Sequence, residues 1–214
     1  MATPNLMAII PAAGLSRRMG QPKLLLPWRG ATVISHLVEE LKAAGINQIF
    51  VVVRSNDSAL TAAVTDAGAT AVHPETDPPD MRASVEFGLR IAYGPAQATQ
   101  SAADDLLRSG WLLIPADHPI VSRGTVAALQ TYWIAGRRQI IVPTFDGRRG
   151  HPTLFSSDFV REVFQIPHDC GLNWLVKHNA QFIREVPVAD PGVVTDLDTK
   201  EDYEALLKRE TSAL

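Results

Sequence analysis

Residues 9–27 read IIPAAGLSRRMGQPKLLLP, and the fold follows from the way that stretch breaks. Leu6 to Pro11 is a near-continuous apolar run, the pattern of a strand buried on both faces of a parallel sheet. It gives way to a loop of small and basic residues. Gly14 and Gly20 allow positive φ and a close backbone approach, and successive N–H groups in such a turn form an anion-binding concavity. Ser16 lies between them. Arg18 adds a guanidinium fork and Lys23 a point charge. The spacing is not G-x-G-x-x-G, because Ser16 stands where the second glycine would fall. It is not the Walker pattern either, because Gly20 is not followed by Lys-Ser or Lys-Thr. A basic surface turn would account for the same residues. A loop holding a nucleoside triphosphate at a strand end accounts for them together with the rest of the chain.

Outward from that loop, helical and strand periodicities alternate. Thr32 to Ala44 places Val33, Ile34, Leu37, Val38 and Leu41 on one face, with Thr32 as cap and Gly45 past the end. Gln48–Arg54 reads as a second buried strand, Ser58–Gly68 as a helix and Ala69–Val72 as a third strand. Pro74, Pro78 and Pro79 enforce a loop, and Ser84 opens a helix to Ile91. Gly94–Ser101 reads as a turn and Asp104–Arg108 as a helix. Strands are expected at Trp111–Pro115, Gln139–Pro143 and Phe182–Val188. Helices are expected at Thr125–Ala135, Ser157–Phe164, Gly171–His178 and from Lys200 to about Lys208. Strands alternating with helices predict an α/β fold with a mainly parallel sheet. In such sheets ligands bind beyond the carboxyl ends of the strands.

Composition narrows the function. The chain has 214 residues, a formal charge of -3 and one cysteine. That length suits a single domain spanning 1–214. The charge argues against non-specific nucleic-acid binding, although Arg17/Arg18, Arg137/Arg138 and Arg148/Arg149 form local basic pairs. A lone Cys170 forms no internal disulfide and no cysteine zinc cluster, which fits a reducing cytoplasm. No signal peptide and no apolar run long enough for a membrane span is expected.

Three polar loops fall at expected strand ends: Ala12–Lys23, Ala116–Pro119 and Phe145–Pro152. Asp117, directly after a buried strand, suits Mg²⁺, which takes one or two carboxylates plus phosphate oxygens. It could equally cap a turn. Arg82-Ala83-Ser84-Val85 reads first as a helix start capped by Ser84. Gly150-His151-Pro152 reads as a strand entry, with Arg148 and Arg149 in a solvated turn before it. Asp198 and Thr199 can cap the last helix, and Glu201 and Asp202 suit its N-terminal dipole.

AAGLSRRMGQPKLLLP resembles the signature A-[AG]-G-x-S-x-R-M-G-x-x-K-x-L-L of the MobA-like nucleotidyltransferases. Within that group it is similar to the molybdenum cofactor cytidylyltransferases. The resemblance implies a Rossmann-like nucleotidyltransferase fold, a three-layer α/β/α arrangement. It implies that Ala12, Ala13 and Gly14 contact base and ribose, with Ser16 in the same loop. Arg18 and Lys23 would hold the triphosphate and act catalytically with Asp117. R-x-S-V-x-x-G-L, with Arg82 and Ser84, is similar to a base-contacting segment. Asp117 matches a metal ligand in D-x-P, and Asp198 matches a second in D-[IVL]-D-T-x-E-D, where Lys200 departs from the usual proline. Asp196 is the weaker match. The implied cofactor is Mg²⁺ or Mn²⁺. His118, in a variable position, together with Arg149 and His151 of the GHPxLF segment, would face the acceptor. Asn173 stands where many relatives have Arg.

The implied substrates are CTP and a phosphorylated small molecule, best matched by molybdopterin. A molybdoenzyme or chaperone would receive the product. Ala13 and Ser84 favour CTP over GTP. The loop lacks the Gln-Tyr-Leu that follows the lysine in the isoprenoid-precursor enzymes. A nucleotide-binding delivery protein without turnover is the alternative from another class, and the retained Lys23, Asp117 and Asp198 disfavour it.

Overall fold

The computed structural model describes residues 5–16, 18–94 and 109–212. The chain enters on β1 (Asn5–Pro11). A small hairpin of β2 (Pro27–Trp28) and β3 (Ala31–Thr32) leads into α1 (Val33–Ala43), β4 (Gln48–Val52), α2 (Ser58–Asp66) and β5 (Thr70–Val72). Then follow α3 (Met81–Tyr93), β6 (Ser109–Leu113), α4 (Arg123–Thr131) and β7 (Ile140–Phe145). The chain doubles back through β8 (Arg148–Arg149) and β9 (Thr153–Ser156) and passes two short helices, α5 (Phe159–Val163) and α6 (Asn173–His178). It ends on β10 (Ile183–Pro187) and α7 (Lys200–Ser212).

The sheet runs β10-β7-β9-β6-β1-β4-β5, with β8 attached to β7. Pairings are parallel except that β9 opposes both β6 and β7, and β8 opposes β7. The apolar run of β1 explains its central place. Leu6, Ala8 and Ile10 enter one core, with Leu37, Leu41, Leu60, Leu129 and Leu206 from α1, α2, α4 and α7. Met7 and Ile9 enter the other, with Val85, Leu89, Phe159 and Leu175 from α3, α5 and α6. The result is a three-layer α/β/α molecule. Ile9 and Ile10 are fully buried, each worth about 1.5–3 kcal/mol relative to exposure.

The connections decide where ligands can bind. From β1 the chain steps outward to β4 and β5, then returns to place β6 on the other side of β1. Strand order therefore reverses between β1 and β6, and the loops leaving their carboxyl ends diverge into a crevice.

Several expected boundaries shift for local reasons. Helix α3 begins at Met81 rather than Ser84, because Asp80 is its cap and accepts from the Ala83 N–H at 2.8 Å. Ser84 does not cap. It lies in the helix, and its hydroxyl donates to the Asp80 carbonyl at 3.2 Å. Residues 145–152, expected as a turn, contain β8. Asp146 (φ 47°) and Gly147 (φ 73°) put two left-handed residues in succession, the requirement of a tight two-residue hairpin. The hairpin of β2 and β3 turns the same way at Arg29 and Gly30 and was not expected. The expected helix at 104–108 and most of the expected turn at 94–101 lie outside the described residues.

Candidate active site

The first loop is pinned at its ends and open in the middle. Met19, Leu24 and Leu26 are buried in the core that β1 shares with α1, so the KLLL segment anchors the loop's exit. Within it, the Met19 and Gly20 N–H groups donate to the Ser16 carbonyl at 3.0 and 3.1 Å, and the Lys23 N–H lies 3.5 Å from Ser16 Oγ. The left-handed positions are Ser16 (φ 47°) and Gly20 (φ 69°), not Gly14. A Cβ on Gly14 would meet no protein atom within 4 Å. The protein's own packing therefore does not require glycine there. A side chain there would project into open space beside the cleft that Gly14 lines.

A cleft of about 300 Å³ opens at the switch point. Ala12, Ala13, Gly14, Ser16, Arg18 and Lys23 line it from the first loop, Asp80, Met81 and Ser84 from the start of α3, and Asp117 and Asp198 from two later segments. Sequence reasoning thus placed nine of its residues together: Ala12, Ala13, Gly14, Ser16, Arg18, Lys23, Ser84, Asp117 and Asp198. It missed Asp80 and Met81. The signal for Asp80 was available: an aspartate just past the proline-rich loop, five residues before Val85 opens the apolar face of α3, is a cap pattern.

Asp198 accepts from both basic residues, at 2.9 Å from an Arg18 Nη and 3.1 Å from Lys23 Nζ. Its carboxylate is free to do so because another pair caps α7. Thr199 Oγ1 accepts from the Asp202 N–H at 3.2 Å, and Asp202 accepts in return from the N–H groups of Thr199 and Asp198 at 2.8 and 3.0 Å. This is a capping box. The two readings of the TDLDTKED stretch, cap and ligand, therefore divide between different residues.

Asp117 follows β6, and its carbonyl accepts from the Leu197 N–H at 2.7 Å, stitching the two acidic segments together. A ring nitrogen of His118 lies 3.1 Å from Asp117 Oδ1, and the other lies 2.9 Å from Asp196 Oδ1. The hydrogen bond with His118 holds the Asp117 carboxyl below its ordinary range. Burial opposes that shift, and the charges of His118 and Lys23 reinforce it. Asp117 is therefore ionised at neutral pH. Asp196, the weaker metal match, is engaged by His118.

Asp117 and Asp198 suit a divalent cation that arrives with phosphate. Mg²⁺ and Mn²⁺ accept one or two carboxylates and complete their shell with water and phosphate oxygens. Among the described residues no group of three or more His, Cys, Asp or Glu side chains could hold a metal ion by itself. Two carboxylates leave the rest of a cation's shell to water and phosphate oxygens.

A second cleft, about 480 Å³, adjoins the first and shares Asp80, Met81 and Asp117 with it. Arg82, Leu113, Pro115, His118, His151 and residues 168–173, including Cys170 and Asn173, complete its lining. His151 stands edge-on to His118, with ring centroids 4.9 Å apart. Burial, helped by the charge of His118, pushes the His151 imidazole down to about 4, so it is neutral at pH 7. The backbone N–H of His151 donates to the Val193 carbonyl at 2.8 Å. Gly150 explains why this approach is possible, since a Cβ there would lie 2.1 Å from the Val193 oxygen. The GHP segment is therefore a strand entry into β9 that is buried at Gly150 and Pro152 and lines the cleft through His151.

Two expected site residues lie elsewhere. Arg149 sits on β8, where its Nε donates to Glu185 on β10 at 2.7 Å, outside the residues that line either cleft. Sheet pairing of β7 with β8 and β10 draws it to the far edge. Arg82 lies at the second cleft rather than the first. Its guanidinium bonds Glu86 and the carbonyls of Pro167 and Cys170.

Among the described residues no helix is long and apolar enough to cross a membrane. The family model for the MobA-like NTP transferase domain matches residues 8–183. Over 203 residues the chain is 24% identical to the molybdenum cofactor cytidylyltransferase of Escherichia coli (strain K12), an alignment covering 95% of this chain and 96% of that one. It is 29% identical over 209 residues to purine catabolism protein PucB of Bacillus subtilis (strain 168), covering 95% and 97%. The structure is similar to Mycobacterium tuberculosis Rv0371c in complex with manganese, with a TM-score of 0.67 and 27% identity over 95% of this chain and 98% of that chain. A family match over residues 8–183, on a three-layer fold whose switch point gathers the signature loop and two carboxylates, establishes that this chain belongs to the MobA-like NTP transferase family and is a nucleotidyltransferase of the MobA/cytidylyltransferase type.

Proposed function

We propose that the protein transfers CMP from CTP to molybdopterin bearing molybdenum, releasing pyrophosphate. One observation carries this reading: Arg18, Lys23, Asp198 and Asp117 converge on a cleft whose other wall is Ala12, Ala13 and Ser84. The two small alanines and the buried Ser84 support placing the base against this wall. The basic pair and the carboxylates stand where the triphosphate would follow. The relative in Escherichia coli named as a molybdenum cofactor cytidylyltransferase supports the choice of acceptor.

The chemistry needs no protein nucleophile. A phosphate oxygen of the acceptor attacks the α-phosphorus of CTP, a new P–O bond forms, and the bond to the departing pyrophosphate breaks. The acceptor phosphate is already ionised at pH 7, so no general base has to remove a proton. This chain's residues position and neutralise. Lys23, with 12% of its side chain exposed, and the more open Arg18 take the charge of the β- and γ-phosphates. Asp117 and Asp198 would hold Mg²⁺ or Mn²⁺, and the manganese complex of Rv0371c supports a divalent cation. When bound, the cation supplies charge neutralisation across the triphosphate. His118 fixes the rotamer of Asp117, and the second cleft receives the acceptor.

In the structure, Arg18 and Lys23 are paired to Asp198. With nucleotide and its cation bound, Arg18 and Lys23 would turn to phosphate oxygens and Asp198 would help hold the cation. Until then the single Asp198 carboxylate offsets part of the charge of the two basic groups. Pyrophosphate release measured with each of the four nucleoside triphosphates, with and without molybdopterin, tests the proposal. Release with CTP that depends on molybdopterin is expected. Release only with GTP overturns the base assignment, and no release under any condition points to a binding protein.

A further inference from the structure

Arg82 is the second residue of α3, and its side chain is only 12% exposed. Its Nε donates to Glu86 Oε1 at 2.7 Å, one turn along the helix. That leaves the outer edge of the guanidinium facing residues 167–172, where Nη1 donates to the Pro167 carbonyl at 2.5 Å and to the Cys170 carbonyl at 3.2 Å. The two carbonyls bracket the loop whose residues 168–172 line the second cleft. Pro167, His168, Asp169 and Gly171 are exposed. Within the loop, the one backbone hydrogen bond closing 167–170 runs from the Cys170 N–H to the same Pro167 oxygen, at 2.9 Å.

A charged donor on two carbonyls restrains an exposed loop more than the turn alone does, because hydrogen bonds from charged groups are stronger than those between neutral ones. The anchor for this restraint is the α3 turn whose Asp80, Met81 and Ser84 line the first cleft. Arg82 itself lines only the second.

We propose that Arg82 is a positioning residue for the acceptor: it straps the 167–172 loop to the first turn of α3 and so sets the shape of the second cleft beside the nucleotide. Its guanidinium is already committed to Glu86 and the two carbonyls, and it contacts no nucleotide. This inference rests on the reading of the second cleft as the acceptor's.

The chain's one cysteine supplies the probe, since Cys170 is in the loop and half-buried. Its rate of reaction with a maleimide reports the loop in intact protein without any substrate. Arg82→Met keeps the aliphatic stem and removes the strap. It is expected to raise the labelling rate about tenfold, the factor for 1.4 kcal/mol. Arg82→Lys, with one ammonium in place of a fork, is expected to fall between Met and wild type. With molybdopterin as acceptor, Arg82→Met raises the acceptor KM about tenfold, while the CTP Kd by calorimetry stays within about twofold. Unchanged labelling in Arg82→Met overturns the strap. A tenfold weaker CTP Kd returns Arg82 to the nucleotide site and also overturns it, as does faster labelling without any change in acceptor KM. If wild type neither binds nor turns over CTP, the proposed function fails, while the labelling comparison still decides the strap.

Discussion

The two adjoining clefts are built differently. The first draws half of its lining from one stretch, residues 11–24, and carries two cations, Arg18 and Lys23, both paired to Asp198. The second is assembled from the start of α3, the strand-end Asp117-His118, the GHP wall and residues 168–173. It has no lysine among its lining residues, and its one arginine, Arg82, is already bonded to carbonyls and a carboxylate. The difference teaches where the charge comes from. The cations of the first cleft come from its own loop, the wall that the clefts share (Asp80, Met81 and Asp117) carries none, and the second cleft presents three histidines instead.

The largest effect that could break this comparison is at the shared wall. Asp117→Ala removes one of the two carboxylates that would hold the cation and is expected to lower turnover at least about 10²–10³-fold. Pyrophosphate release checks it, and near-normal rates with Mg²⁺ would contradict the two-carboxylate account. Next comes Gly14→Val. The protein leaves the space beside Gly14 open, so thermal stability should hold while the CTP Kd rises about tenfold or more, the mark of a blocked ligand site. A lower melting temperature with unchanged affinity would make Gly14 structural instead.

Asp198→Asn sharpens the comparison from the charge side. Without divalent cation, Arg18 and Lys23 are released from their carboxylate, so CTP should bind about tenfold tighter than to wild type. With divalent cation present, turnover should fall. Calorimetry with and without chelator separates the two effects.

The second cleft has its own signature in stability. His151 titrates near 4 when folded and near the ordinary histidine value when unfolded. Between those values the unfolded chain binds more protons, so stability is full above about pH 6.5 and is lost as pH falls toward 4. The whole window is worth roughly 3 kcal/mol. Urea denaturation at pH 7.5 and pH 5 should show this slope in wild type and a shallower one in His151→Asn. The smallest effect is expected at Arg149→Ala. Its partner Glu185 is exposed, and such pairs contribute about 0–1 kcal/mol. Steady-state kinetics should leave the acceptor KM unchanged.

Legibility in the sequence follows the same division. The first cleft was readable because its chemistry is local. An apolar strand, two glycines, Arg18 and Lys23 are consecutive, and their order constrains their geometry. Asp117 and Asp198 were readable because each directly follows or precedes a regular element. The second cleft resists such reading because its walls are set by tertiary choices. Arg149 looked available in a glycine-rich turn, but the Asp146-Gly147 hairpin pairs β8 to β7 and carries it to Glu185. Arg82 shares its motif with Ser84, yet a helix turn directs residues two positions apart to different faces, so one lines the first cleft and the other the second. Ser84 was misread as a cap because Asp80, four residues earlier, takes that role.

The central claim is tested most directly by following the α-phosphate. With CTP radiolabelled at that position, molybdopterin and a divalent cation, the label is expected on a cytosine dinucleotide product, with unlabelled pyrophosphate released. Transfer should vanish in Asp117→Ala. Label that remains on CTP in wild type, or transfer from α-labelled GTP in its place, would contradict the account.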